Sequence, residues 1–216
     1  MISKYGIPLV LIGIGLFLLS LLAAKYMRHP FWTVLSIVLG ILMVFNIYFF
    51  RDPERKIPQD ANAILSPADG KVVMITEMEE PQFFQTRVKR ISIFLSVFNV
   101  HVNRVPVSGE VSYYNYNKGK FLAAFNDKAS LDNEQTAIGI TRPDGKKVMF
   151  TQIAGLIARR IVCELREGDK VEAGQRMGLI RYGSRVDVYF PSDSVDVKVQ
   201  IGDKVTGGET ILGVFR

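Results

Sequence analysis

The chain has 216 residues, with 27 Lys and Arg side chains against 21 Asp and Glu, and 48% of its residues are hydrophobic. This length accommodates one soluble domain plus a membrane anchor. Residues 1–50 carry three basic side chains and no acidic one, so the rest of the chain is only mildly basic. Such a small charge excess argues against a nucleic-acid binder, which concentrates basic charge on one face. We therefore expect no nucleic-acid partner.

Two apolar runs without charged residues open the chain, at about 7–24 and 31–50. About 20 helical residues cross a hydrocarbon core roughly 30 Å thick. The connector between the runs is short, so residues 1–50 are predicted to form a transmembrane helical hairpin that anchors the chain. A cleaved signal peptide followed by one anchor is the alternative.

The orientation of this hairpin is predicted from the basic residues beside it, since cytoplasmic flanks carry the excess of Lys and Arg. Four flank its outer ends and two flank its tip: Lys4, Arg51, Arg55 and Lys56 against Lys25 and Arg28. We therefore expect both termini, and the soluble domain, on the cytoplasmic side of the cell membrane. The only cysteine, Cys163, excludes an internal disulfide, which suits a reducing compartment, and its apolar surroundings predict a buried core residue.

A polar segment containing prolines, residues 51–63, is predicted to be a linker, and residues 64–216 a single domain. Short apolar or alternating runs between turn signals predict nine strands and a mainly β fold. These strands are Lys71–Thr76, Arg90–Leu95, Gly109–Tyr116, Thr136–Ile140, Lys147–Ile153, Arg176–Ile180, Val186–Phe190, Val195–Val199 and Thr210–Val214. One helix is predicted, from Gly155 to Leu165.

An internal repeat sharpens the fold prediction. The run Glu167–Gln175 recurs 34 residues later as Ile201–Glu209, and both copies contain Gly-Asp-Lys-Val-x-x-Gly followed by an apolar run. This pattern predicts a repeated turn between strands, and Ala68–Val72 offers a third, divergent copy. The repeat resembles the hairpins of lipoyl- and biotinyl-type domains. The expected fold is therefore a lipoyl/biotinyl-like β-sandwich hybrid domain, with the Gly183-Ser184 bond between the two copies.

The Gly183-Ser184 bond is a candidate for self-cleavage, although Gly-Ser is also a common turn. Glycine offers an unhindered carbonyl and tolerates strained backbone. The serine oxygen can attack that carbonyl to form an ester. Elimination from the ester leaves dehydroalanine, which hydrolyses to a pyruvoyl group.

Five blocks of sequence, in order, resemble the short (type A) form of the phosphatidylserine decarboxylase proenzymes. They are Tyr182–Pro191, Ser66–Val72, Phe94–Arg104, Asn126–Ser130 and Gln152–Arg160, so the resemblance runs from about Ile64 to the C-terminus. It implies cleavage between Gly183 and Ser184 into a large and a small chain, with a covalent pyruvoyl cofactor made from Ser184. It further implies decarboxylation of phosphatidylserine to the ethanolamine phospholipid through a Schiff base with that group.

The resemblance also implies roles for further residues. His101, the only histidine beyond the hairpin, would serve as the base for Ser184 or as the acid of decarboxylation. Asp69 would orient His101 in a Ser/His/Asp arrangement. Longer family members have a second histidine where this chain has Arg104, which would instead hold the phosphate or carboxylate of the substrate. Without the resemblance, a structural histidine and a turn aspartate are the default interpretations.

The expected partners are the phospholipid substrate, the membrane and the two chains of one precursor, with a homo-oligomer also open. No metal is expected, since one soluble histidine and one cysteine do not make a usual site. Apolar surface around Phe83 and Phe84 is expected to add membrane contact. The sequence leaves open diacyl or archaeal ether lipid as the substrate. The alternative function is a membrane-anchored lipoyl-like carrier or adaptor domain without catalysis.

Overall fold

The protein was analysed as a computed structural model, which describes residues 1–119, 133–155 and 160–216. The chain divides into two compact units, Met1–Pro53 and Glu54–Arg216. The Asn126–Ser130 block and part of the Gln152–Arg160 block lie outside the described residues.

The first unit consists of two long helices, α1 (Ile7–Met27) and α2 (Pro30–Phe49). At 1.5 Å per residue each is about 30 Å long, the thickness of a hydrocarbon core. Apolar side chains along both helices are exposed, for example Leu11 at 62% and Ile41 at 65%. The helix of a soluble core would bury these side chains. The predicted pair of apolar helices is confirmed, and it suggests membrane association.

The second unit is mainly β. Its described residues form fourteen strands. In chain order these are β1 (Ala63–Leu65), β2 (Gly70–Glu80), β3 (Thr86–Leu95), β4 (Val102–Arg104), β5 (Gly109–Asn117), β6 (Gln135–Thr141), β7 (Lys147–Ala154), β8 (Ile161–Cys163), β9 (Lys170–Val171), β10 (Arg176–Ile180), β11 (Ser184–Pro191), β12 (Val195–Val197), β13 (Lys204–Val205) and β14 (Ile211–Phe215). All nine predicted strands are confirmed, with small differences at their ends.

An eight-stranded sheet in the order β13-β2-β3-β11-β7-β6-β5-β9 dominates the unit. Two three-stranded sheets, β1-β14-β12 and β4-β10-β8, complete it. β11 lies between β3 and β7, antiparallel to both. Alternate residues of β11, namely Val186, Val188 and Phe190, are fully buried in the main hydrophobic core. The Gly-Ser bond thus precedes a strand that is paired on both sides.

The repeated turns occupy equivalent places at the two edges of the large sheet. In the second copy, Asp203 O accepts from Val72 N and Gly202 N donates to Val72 O, at 2.9 and 2.8 Å. In the first copy, Asp169 and Gly168 make the same two bonds to Val111, both at 2.8 Å. We call residues 66–72 with 202–208 the Asp69 turn pair, and residues 105–111 with 168–174 the Ser108 turn pair. The divergent copy at Ala68–Val72 therefore pairs with the second repeat turn. Residues 107–111 take the same position beside the first repeat turn.

The predicted helix from Gly155 to Leu165 is wrong where the structure describes it. Ile161–Cys163 forms β8 and pairs with Gly178, Leu179 and Ile180 of β10. Residues 156–159 lie outside the described residues. The pairing with β10 overrides the local pattern, because a short apolar run fits a strand as well as a helix.

Much of the predicted linker packs on the second unit. Glu54 forms an ion pair with Arg176, with 2.9 Å between Oε1 and Nη2. Lys56 N donates to Glu209 Oε1 at 2.8 Å. Ile57 lies so close to Gly174 and Gly208 that a Cβ at either glycine would come within 3.2 Å of it. Residues from Glu54 onward therefore belong with the β domain.

Candidate active site

Ser184 is the first residue of β11, opposite Leu95 of β3 and Ala154 of β7. Its side chain points to the same face of the sheet as Val186, because residues two apart on a strand share a face. Ser184 is fully buried, and its Oγ has no hydrogen-bond partner among the described residues. A buried hydroxyl left without a partner costs about 1–3 kcal/mol. Ser184 shares this feature with Ser92, so its functional interest comes from the residues around it.

The two residues before Ser184 have left-handed backbone. Tyr182 has a φ of 50° and Gly183 a φ of 78°. A Cβ built on Gly183 would have only Val97 nearby, at 3.8 Å, so space does not demand glycine here. The backbone angle does, since side-chain-bearing residues adopt it at a cost. Tyr182 bears that cost, so the strained residue directly precedes Gly183.

His101 lies at the same bond. Its ring is 2% exposed, and Nε2 accepts a hydrogen bond from Gly183 N at 3.3 Å. Nδ1 lies 3.0 Å from the carbonyl oxygen of Asn99. Since Nε2 is the acceptor, the neutral ring carries its proton on Nδ1 and donates it to Asn99. The basic nitrogen of His101 therefore faces the amide that joins Tyr182 to Gly183, one peptide before the Gly183-Ser184 bond.

A fixed turn between β3 and β4 positions His101. Asn99 Oδ1 accepts from Ser96 N at 2.9 Å and from Ser96 Oγ at 2.8 Å. Asn99 N donates back to Ser96 O at 2.9 Å. We call residues 96–99 the histidine turn. One short segment thus contacts both His101 and, through Val97, Gly183.

Asp69 is engaged elsewhere. Both of its carboxylate oxygens lie 2.9 Å from Arg55 Nη2, and Oδ1 also accepts from Gly207 N at 2.8 Å. The side chains of Arg55 and Asp69 are only 11% and 16% exposed. The structure therefore joins His101 to the Gly183 amide, whereas the hydrogen bonds of Asp69 go to Arg55 and Gly207. The orienting role of Asp69 stays a prediction.

Arg104 lies between the two repeat turns. It is 6% exposed, and its Nη1 donates to Gly174 O at 2.8 Å. A Cβ on Gly208 would come within 2.7 Å of Arg104 Cδ. Arg104 therefore links the Ser108 turn pair to the Asp69 turn pair. Its role in substrate binding stays a prediction.

Two buried amides near Ser184 were not foreseen from the sequence. Gln152 lies two residues before Ala154, so it is a diagonal neighbour of Ser184 on the same face, about 7 Å away. Gln152 Nε2 donates to Asn103 Oδ1 at 2.8 Å, and both residues are fully buried. Asn103 Nδ2 and Gln152 Oε1 have no partner among the described residues. The sequence did contain one signal for this site, because Gln152 is a polar residue within the mostly apolar strand β7.

The other face of β11 carries a charged network. Arg185 Nε and Asp187 Oδ1 are 2.9 Å apart, with side chains 2% and 0% exposed. Tyr189 Oη donates to Asp187 Oδ2 at 3.3 Å. Burial, followed by the neighbouring carboxylate, raises the pKa of Tyr189 well above its usual range. The polar residues of the motif thus stabilise the side of the strand opposite Ser184.

Cys163 is half-buried in β8 rather than fully buried as predicted. Burial raises the pKa of its thiol. The thiolate is the nucleophilic form of cysteine, so this environment disfavours a catalytic thiol.

The fold and site define a protein with two apolar helices and a mainly β domain, in which the residue before a buried serine donates its amide to a histidine. Comparison with known proteins gives the family. The phosphatidylserine decarboxylase family model matches residues 42–213. A phosphatidylserine decarboxylase proenzyme of Desulfotalea psychrophila is 45% identical over 98% of this chain and 95% of that protein. Proteins of the same name from Geobacter metallireducens and Syntrophotalea carbinolica are 48% and 50% identical. These two alignments span 90% and 86% of this chain, and 88% and 86% of the respective relatives.

This chain belongs to the phosphatidylserine decarboxylase family. The resemblance seen in the sequence is confirmed. Membership identifies the chain as a carboxy-lyase that is made as a proenzyme.

Proposed function

We propose that this chain cuts itself between Gly183 and Ser184 and then decarboxylates phosphatidylserine, or a related ether lipid, to the ethanolamine phospholipid. One observation carries the proposal. The partnerless, buried Oγ of Ser184 follows a left-handed Gly183 whose N–H is bound by His101. Family membership supports the decarboxylation.

Processing uses groups that this site holds. Ser184 Oγ attacks the carbonyl carbon of Gly183 while His101 Nε2 takes the hydroxyl proton. The C–N bond breaks, and the proton passes to the departing nitrogen, which leaves an ester between Gly183 and Ser184. Loss of the Ser184 α-proton then expels the Gly183 carboxylate and gives dehydroalanine. Its imine tautomer takes up water and releases ammonia, leaving a pyruvoyl group at position 184.

The surroundings of position 184 fit such a group. Asn103 Nδ2 is a donor and Gln152 Oε1 an acceptor, and both are buried without partners in the described part of the chain. When formed, the group supplies a carbonyl that condenses with the substrate amine as a Schiff base and accepts the electron pair released with carbon dioxide. His101 holds the proton for the substrate carbon, Asp69 orients His101, and Arg104 binds the phosphate or carboxylate.

The two chains are expected to stay together after cleavage. The small chain, 184–216, would contribute β11 to the middle of the eight-stranded sheet and β14 to the middle of a three-stranded sheet. β11 pairs along eight residues with β3 and along six with β7. Each of these neighbours belongs to the large chain. The backbone hydrogen bonds therefore hold the small chain without the peptide bond.

The helical hairpin would anchor the enzyme in the cell membrane beside its lipid substrate. The excess of basic residues near the outer helix ends supports a cytoplasmic position for the β domain, residues 64–216 by sequence. The lipoyl-like hybrid fold and a homo-oligomer are further expectations. The alternative function, an anchored carrier or adaptor, requires no cleavage at Gly183.

Denaturing electrophoresis and intact mass test this proposal. The wild type should give two chains, and Ser184→Ala should give one, because no hydroxyl remains to attack. Ser92→Ala is the matched control, since Ser92 is also fully buried on a central strand with a partnerless hydroxyl. It should give two chains. A single wild-type chain would support the carrier function instead, and a cleaved Ser184→Ala would overturn the attack by Ser184.

His101→Ala tests the base. This variant should accumulate the uncut precursor, because no other group is assigned to take the Ser184 proton. Normal maturation of His101→Ala would remove it from processing and leave it as the acid of decarboxylation. Release of carbon dioxide from phosphatidylserine by the mature wild type is the direct assay of activity.

A further inference from the structure

One large apolar side chain is exposed beside the Gly-Ser bond. Phe98, at the tip of the histidine turn, is 65% exposed. The turn is closed by the bonds between Asn99 and Ser96, so it holds Phe98 out from the domain in a fixed position. The residue before it, Val97, faces Gly183, and the residue after it binds His101. An exposed phenylalanine is therefore fixed one residue from two contacts of the active site.

Basic and amphipathic side chains flank the same place. Arg181 and Tyr182, just before Gly183, are half-buried, and Arg160 is exposed. Arg181 N donates to Arg160 O at 3.2 Å, which brings the two arginines close together. Tyr and Arg beside an exposed Phe match the composition of segments that lie at membrane interfaces. Basic residues near an anionic surface strengthen binding to that surface.

The chemistry of the substrate argues for a bilayer as the occupant of this surface. The headgroup of a phospholipid must reach His101 and Ser184. Moving its acyl chains from hydrocarbon into water costs free energy. The opening of the site must therefore lie at the bilayer surface when the headgroup enters. This argument rests on the proposed function.

We propose that the histidine turn inserts Phe98 into the bilayer interface, with Arg160 and Arg181 at the level of the lipid phosphates, so that the site opens directly onto the membrane. The turn thereby couples membrane contact to the position of His101. The expected contact at Phe83 and Phe84 is replaced by this one. Those rings are half-buried and meet edge to face with centroids 5.0 Å apart, and Phe83 packs on Gly139.

Met78 provides a matched control at the other end of the sheet. It is exposed, at 38%, and pairs with Val88 on β3. Val88 is seven residues from Leu95, the residue opposite Ser184, which corresponds to about 23 Å along the strand. A membrane contact at the histidine turn should leave Met78 in water.

Fluorescence quenching tests the contact without using activity. Trp32 is the only tryptophan, so Trp32→Phe gives a silent full-length chain, into which Phe98→Trp or Met78→Trp is introduced. Each protein is reconstituted in vesicles containing phosphatidylserine and lipids brominated near the headgroup. Phe98→Trp should be quenched at least threefold more than Met78→Trp. Equal quenching of the two would overturn the proposal.

A kinetic test then separates this proposal from the proposed function. Phe98→Ser should mature normally and lower kcat/KM at least fivefold on phosphatidylserine vesicles. On dispersed short-chain phosphatidylserine it should change kcat/KM less than twofold, and Met78→Ser should change neither. Equal losses on both substrates, or no loss on vesicles, would overturn the role of the turn. A wild type inactive on both substrates, but with quenched Phe98→Trp, would instead overturn the proposed function.

Discussion

The Asp69 and Ser108 turn pairs share a backbone and differ in chemistry. In the first, Asp69 Oδ1 accepts from Gly207 N at 2.8 Å, and in the second, Ser108 Oγ accepts from Ala173 N at 2.9 Å. The glycines Gly70 and Gly109 are equally tight, with a Cβ there meeting a neighbouring carbonyl at 2.4 and 2.5 Å. A serine hydroxyl is thus sufficient to bind the turn. The carboxylate of Asp69, which also binds Arg55, therefore exceeds what the turn itself requires.

The largest expected difference is between Asp69→Ala and Ser108→Ala. Asp69→Ala removes the acceptor of Gly207 N and the nearer of the two carboxylates that pair with Arg55, leaving Glu209 at 3.6 Å. We expect the free energy of unfolding to fall by about 3 kcal/mol. If Asp69 orients His101, processing should also slow at least a hundredfold. Ser108 is exposed, and its loss should cost less than about 1 kcal/mol with normal processing. Urea unfolding and timed electrophoresis measure both; similar results for the two variants would show that the halves are functionally equivalent.

Asp69→Ser sharpens the comparison by copying the Ser108 turn pair. The serine keeps an acceptor for Gly207 N and removes only the carboxylate. We expect a well-folded protein, less stable than the wild type by about 2 kcal/mol, that still accumulates precursor. Its circular dichroism spectrum should match that of Ser108→Ala. Full maturation of Asp69→Ser would show that Asp69 is a turn residue and nothing more.

Arg55→Met tests whether the Arg55–Asp69 ion pair contributes to stability and processing. Methionine keeps much of the arginine stem's apolar volume, and the Asp69 carboxylate stays in place. We expect a stability loss of about 1–2 kcal/mol, since Asp69 retains Gly207 N and some solvent contact. Processing should slow less than tenfold. A block as deep as that of Asp69→Ala would make Arg55, rather than the carboxylate, the group that processing requires.

The smallest expected difference is between Gly174→Ala and Gly208→Ala. Both glycines are left-handed, at φ 80° and 79°, so each alanine should cost about 1–2 kcal/mol. The added methyl group would meet Ile57 at position 174, but Arg104 Cδ as well as Ile57 at position 208. The carbonyl oxygen of residue 174, which accepts from Arg104, is retained in Gly174→Ala. If Arg104 binds substrate, Gly208→Ala should raise KM severalfold and Gly174→Ala should not. Equal KM values would leave Arg104 as a structural link between the turns.

Much of the fold could be predicted from local pattern. The apolar helices, the nine longer strands and the repeated turns all follow from residue periodicity and glycine placement. The misses share a cause. β8, where a helix was predicted, and the two-residue edge strands β9 and β13 exist only because a partner strand lies beside them. Such pairings join residues far apart in the chain, and local periodicity does not encode them.

For the site, the sequence by itself determined the chemistry-bearing residues: a Gly-Ser bond before a strand, one soluble histidine and the motifs of a decarboxylase family. Only the tertiary structure decided how they meet. Ser184 is buried between β3 and β7, and His101 Nε2 faces the Gly183 amide. Asp69 binds Arg55 and Gly207 N. Asn103 and Gln152 form a buried hydrogen bond near Ser184. The physical reason is that residue type sets which bonds a group can make, whereas the burial and partners of that group depend on strands that pair across most of the chain.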